Sequence, residues 1–145
     1  MDKRLEELLL DILLDSNILS KHEFVYNNVI QKTESIGAGA SYLITFSNGK
    51  TSISFGCNYE YNNSTTISIN ITNHFGSIIT LTDWINIKFG FGKFQCFSWS
   101  NEEDFVQKVK EMISALEEIF SEEKMSKILK GEHWEYVPFG WFGQR

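Results

Sequence analysis

Proline is almost missing from this chain: Pro138 stands alone among 145 residues. Nothing breaks a strand or a helix by that route before the final segment, and proline-rich linkers are excluded. Cysteine is nearly as scarce. Cys57 and Cys96 both lie in apolar, strand-like runs, which fits two packed thiols in a reducing compartment and not a disulfide framework. Long hydrophobic runs are missing too, since no uninterrupted stretch approaches the ~18 residues of a membrane-spanning helix. The opening MDKRLEELLLDILL is interrupted by Glu6, Glu7 and Asp11, with no small-residue cleavage site after it. It reads as an amphipathic helix and not as a signal peptide, so the expected location is cytoplasmic with no membrane partner.

Positive charge is in short supply. Thirteen Lys and Arg stand against 19 Asp and Glu, a formal net charge of -6. Such a domain is repelled by phosphate backbones, which argues against generic nucleic-acid binding, and it attracts a basic protein. Apolar residues are plentiful: 42% of 145 residues is enough for one domain around one core.

The organising stretch is Asn101 to Lys130. Ser100 or Asn101 supplies a helix cap, and Glu102, Glu103 and Asp104 place carboxylates at the positive end of the helix. Phe105, Val109, Met112, Ile113, Leu116, Ile119 and Phe120 then recur at helical spacing. A break is expected near Ser121. Met125, Ile128 and Leu129 form a second short stripe, and Gly131 ends it. At the other end, residues 2 to 15 read as a helix. Leu5, Leu8, Leu9, Ile12 and Leu13 form its stripe, widened by Leu10 and Leu14.

Between the helical ends the period changes to two. Ser20 to Glu23 fits a capping box, while the stretch from about 24 to 33 favours an edge strand. Ile36 to Ala40 reads as a turn. Tyr42, Ile44 and Phe46 lead through Asn48-Gly49 to Ile53 and Phe55, a hairpin pattern. Ile67, Ile69 and Ile71 alternate with Ser68, Asn70 and Thr72. Asn73 to Gly76 is a turn, after which Ile79, Leu81, Ile85, Ile87 and Phe89 continue the strand pattern, with Asp83 as a misfit. Phe94 to Trp99 reads as the last strand. The expected fold is therefore α+β: a five- or six-stranded, mainly antiparallel sheet with N-terminal and C-terminal helices packed on one face. Residues 1–145 form one domain, and the aromatic tail 132–145 is expected to pack back on it.

Catalytic chemistry finds no foothold. Gly37-Ala38-Gly39 lacks both the third glycine and the strand–helix setting of a phosphate loop. His22, His74 and His133 are far apart and none has metal-ligand spacing. His74 with Asp83 and a cysteine is the one conceivable catalytic grouping. No metal, cofactor or enzymatic activity is expected. For partner binding the candidates are the acidic Glu117, Glu118, Glu122 and Glu123, and the aromatic anchors Tyr59, Tyr61, Trp84, Trp134 and Trp141. Trp84 is expected among the Ser, Thr and Asn side chains of the polar sheet face, where a homodimer would cover it. A second reading makes a cleft beside Trp84 the site of a small-molecule-binding or regulatory domain without catalysis.

Across its whole length, in architecture and composition, the chain resembles the small immunity proteins that Gram-positive bacteria encode beside secreted polymorphic toxins. The resemblance implies an antitoxin: a non-enzymatic protein that binds one cognate toxin domain, here a basic, nuclease-like one, and blocks its active site or substrate entry.

Overall fold

Burial alternates residue by residue along the central strands, and that alternation builds the molecule. The computed structural model describes residues 2–35, 39–59, 64–89 and 96–134. Strands β1 (Val25–Ser35), β2 (Gly39–Ser47), β3 (Thr51–Tyr59) and β4 (Ser64–Asn73) follow one another as antiparallel neighbours. Tyr42, Ile44 and Phe46 of β2, Ile53, Phe55 and Cys57 of β3, and Ile67, Ile69 and Ile71 of β4 are all buried on one face. That face receives four helices: α1 (Asp2–Asp15), α2 (Leu81–Phe89), α3 (Glu102–Phe120) and α4 (Glu123–Leu129). Among them α3 is central and packs against each of the other three.

The long acidic helix forms as its sequence dictates. Asn101 accepts a hydrogen bond from the Asp104 amide at 2.9 Å, and Asp104 accepts one from the Ser100 amide at 2.8 Å, a reciprocal cap. All seven residues of the expected stripe are buried. The chain breaks at Ser121 and α4 ends at Gly131, whose φ of +77° suits a residue without a Cβ. The expected edge strand is β1, preceded by a single 3₁₀ turn, Ser20–His22. In α1 the inward positions are Glu6, Leu9 and Leu13. Leu14, expected to widen the apolar stripe, is 51% exposed instead, because it lies one helical step of about 100° beyond Leu13.

One expectation is overturned. The residues from Ile79 to Phe89 do not continue as a strand. Strand β5 spans only Ile78–Thr80, and α2 follows at once. Leu81, Trp84 and Ile85 share spacings of three and four as well as an apparent alternation, and the helical period is the one realised. Asp83, a misfit for a strand, is a favourable first-turn residue of a helix. Trp84 is consequently 1% exposed, in the core and not on the polar sheet face.

The sixth strand, β6 (Cys96–Ser98), pairs with β4 along the same edge as β5. The two short strands lie in line, one at Asn70–Thr72 and one at Ser64–Thr66, with α2 inserted between them. At the gap, Thr82 Oγ1 accepts from the Ile69 amide at 3.1 Å and lies 3.5 Å from the Ile69 carbonyl. A side chain thus replaces the missing strand partner. Cys57 on β3 and Cys96 on β6 sit on opposite sides of β4, about 10 Å apart at the usual strand spacing, too far for a disulfide. Cys57 is buried and in no disulfide.

Because Trp84 fills the core, Trp84→Ala is expected to destabilise the fold by about 3–5 kcal/mol, read as a lowered urea midpoint. A surface tryptophan would leave the midpoint nearly unchanged.

Candidate functional site

The outward side chains of β2, β3 and β4 form a surface of unusual uniformity. Ser41, Leu43, Thr45 and Ser47 on β2, Ser52, Ser54 and Asn58 on β3, and Thr66, Ser68, Asn70 and Thr72 on β4 are short and uncharged. Ile78 and Thr80 of β5 extend the same face, and Ile78 is 54% exposed. No charged residue occurs on it along these four strands, in a chain that is 22% charged. The side chains bond sideways: the Thr45 and Ser54 hydroxyls lie 3.2 Å apart, and Ser41 donates to Asn58. Among the described residues, no helix covers this face. Three strands of nine or ten residues, about 30 Å long and 4.8 Å apart, with the short β5 beside them, give roughly 480 Å² of plan area over this part of the sheet.

The expected acidic patch is less negative than its sequence. Lys21 pairs with Glu117 at 3.7 Å, Lys88 with Glu122, and Lys127 with Glu123 at 3.6 Å. Glu118 makes no ion pair among the described residues. All four carboxylates belong to the helix layer, on the side opposite the uncharged face. The aromatic candidates separate as well. Trp84 is core, and Trp134 is half-buried against the core at the far end of α4. Tyr59 closes β3, while Tyr61, Trp141 and the tail beyond residue 134 lie outside the described residues.

A catalytic arrangement around His74 does not assemble. Asp83 lies in the first turn of α2, Cys57 is sealed under the helices, and no His–Asp pair links His74 to Asp83. No group of three His, Cys, Asp or Glu residues able to hold a metal occurs among the described residues, and none of their helices is long and apolar enough to cross a membrane. Trp84 lines none of three cavities found among the described residues. One groove of about 570 Å³ runs between α1 and α3, floored by Leu8, Ile12, Val106 and Ile113. Two smaller hollows lie at the turn end of the sheet.

That turn end is held by a residue that sequence reading treated only as a turn former. Asn48 donates through Nδ2 to the Leu129 carbonyl at 2.9 Å and to the His22 carbonyl at 3.3 Å. Its Oδ1 accepts from the Lys50 and Thr51 amides, each at 2.9 Å. Thr51 Oγ1 also donates to Leu129 O at 3.1 Å. One hairpin turn, one helix end and the 3₁₀ turn are therefore fixed together. Beside them the His22 ring packs edge-on against Phe120, centroids 5.1 Å apart. Burial, and then the charges of Lys130 and Lys21, lower the His22 pKa below its ordinary 6.5.

No family model matches the chain, and neither the curated proteins nor the solved structures contain a significant match to it.

Two measurements follow from this corner of the fold. Asn48→Ala leaves the Leu129 carbonyl with the Thr51 hydroxyl alone and strips the side-chain partner from the His22 carbonyl and the Lys50 and Thr51 amides, and is expected to cost about 1–3 kcal/mol in chemical denaturation. Folded His22 binds its proton less readily than the unfolded chain does. Its stabilising contribution is complete above the unfolded value of 6.5 and is lost as pH falls through the lower folded value. The urea midpoint should drop as pH falls below about 6.5, and His22→Gln should flatten that part of the curve.

Proposed function

We propose that this protein acts by binding another protein and masking it, without catalysis of its own, as an immunity protein does to a toxin domain. The observation that carries this reading is the uncharged, helix-free face of β2 to β5. Ordinary solvated sheet faces carry lysines and glutamates; the buried centres of interfaces are depleted of charge. A plan area of roughly 480 Å² is more than half of the ~800 Å² that each partner contributes to a standard-sized complex. Short, mutually bonded side chains also lose little rotamer entropy on docking.

The net charge of -6 supports a basic partner. Glu118 and the other helix-layer acids act at a distance, drawing such a partner in, while the neutral face makes the contact. This division assigns the acidic residues to encounter rate and the sheet to residence time. It also shifts the binding role away from Trp84, which is buried.

The test is co-expression with the protein encoded by the adjacent gene, followed by size exclusion and binding kinetics. A stable complex is expected. Ser54→Arg and Asn70→Arg should each weaken it at least about tenfold, mainly through faster dissociation, whereas Glu118→Lys should slow association. Failure to bind that protein or any basic toxin domain sinks the reading. A homodimer abolished by Ser54→Arg would instead assign the face to a second copy.

A further inference from the structure

The turn end of the sheet collects charged and aromatic side chains that the proposed docking face lacks, and it shares only the edge residues Ser47, Ser52 and Thr72 with that face. Three segments far apart in sequence meet there: the β2–β3 turn, the β4–β5 turn and the residues after α4. They enclose a groove of about 270 Å³. Lys50 stands on one side of it, His74 and His133 on the others. Two of the chain's three histidines thus border one small groove, and Asn48 ties the backbone of the third to the same turn. Lys50 is exposed and makes no ion pair among the described residues. Glu132 is the only acid on the lining and balances Lys50 in formal charge, so the groove is locally neutral on a protein of net charge -6.

Aromatic surface lies beside that charge. Phe75 is 82% exposed, the most exposed large apolar side chain among the described residues, and its ring lies 4.1 Å from that of His74. Its position is fixed. Asn73 Oδ1 accepts from the Phe75 amide at 3.0 Å and from the Ser77 amide at 2.9 Å, and Gly76 takes the positive φ that closes the turn. Trp134 forms a wall, half-buried against the core. At Gly131 a Cβ would come within 3.2 Å of Lys50 Cβ, so the helix end and the hairpin turn are pressed together at the base of the groove. An adjoining hollow of about 190 Å³ shares Lys50 and His74 and adds the hydroxyls of Ser52 and Thr72, which are direct cross-strand neighbours.

A fixed cation, hydrogen-bonding imidazoles, two aromatic rings and paired hydroxyls match a ligand with an anion, a flat ring and a polyol between them. We propose that this groove binds a nucleoside monophosphate, with the phosphate at Lys50 and His74 and the base against Phe75 and Trp134. The two hollows together fall in the ~300–1,000 Å³ range of small-molecule sites. A long nucleic acid is disfavoured by the net charge of -6, but a single phosphate senses mainly charges within a Debye length of about 10 Å.

Amide chemical shifts of the whole protein, titrated with adenosine monophosphate, adenosine and inorganic phosphate, test this. Saturable shifts with the nucleotide are expected at the three turn segments and at Ser47, Ser52 and Thr72 beside them, and not across the rest of the β2–β4 face. Adenosine and phosphate alone should each bind at least about tenfold more weakly. Lys50→Ala should weaken nucleotide and phosphate binding about tenfold and leave adenosine alone; Phe75→Ala should do the reverse for phosphate and adenosine. Both positions are exposed, so unchanged shifts elsewhere will report an intact fold. The proposal is overturned by any of three results: no saturable shifts at millimolar nucleotide, shifts centred elsewhere, or phosphate binding as tightly as the nucleotide.

Discussion

The helices α1 to α4 answer to one surface, the Ile and Phe face of β2, β3 and β4. Nine buried side chains on three neighbouring strands are too apolar to leave in water, at about 25 cal/mol for each Å² covered. Since the strands alternate strictly, the same residues that commit one face to the core commit their neighbours to the other. Covering one side with α1, α2, α3 and α4 therefore leaves the opposite side of the sheet as the open one among the described residues. The uncharged face and the core are two consequences of a single period.

The second constraint is local and polar. Asn48 satisfies two carbonyls and two amides from three separate parts of the chain. A hydrogen bond exposed to water contributes little; one that meets a buried helix-end carbonyl prevents a penalty of about 1–3 kcal/mol. By joining the hairpin turn to the end of α4, it also fixes Lys50 against Gly131 and brings the post-helix residues beside the β4–β5 turn. The groove at this end exists because the turn is anchored.

Much of the fold was legible in the chain. The caps of α3, its stripe, the break at Ser121, the glycine after α4 and the Asn48-Gly49 hairpin all rest on interactions within a few residues of each other, where local chemistry decides. The stretch from Leu81 to Phe89 was not, because Leu81 and Ile85 satisfy both periods. What separates them is non-local: α2 packs on β4 and α3, and Thr82 replaces the strand partner that Ile69 would otherwise lack. Trp84 followed the wrong period and so was placed on the wrong side.

The candidate sites divide in the same way. By itself the sequence determined the sheet's alternation, hence an apolar face and an uncharged one, and it determined the acidic balance and the absence of a catalytic or metal-binding motif. Only the tertiary structure decided that Lys21 and Lys88 reach Glu117 and Glu122 of the helix layer, that Trp84 is core, and that Lys50, His74 and His133 border one groove. The reason is range. Period, capping and the Glu123–Lys127 pair act over at most about four residues, whereas the others join positions 24 to 96 apart, which only the packing of helices on the sheet can bring together.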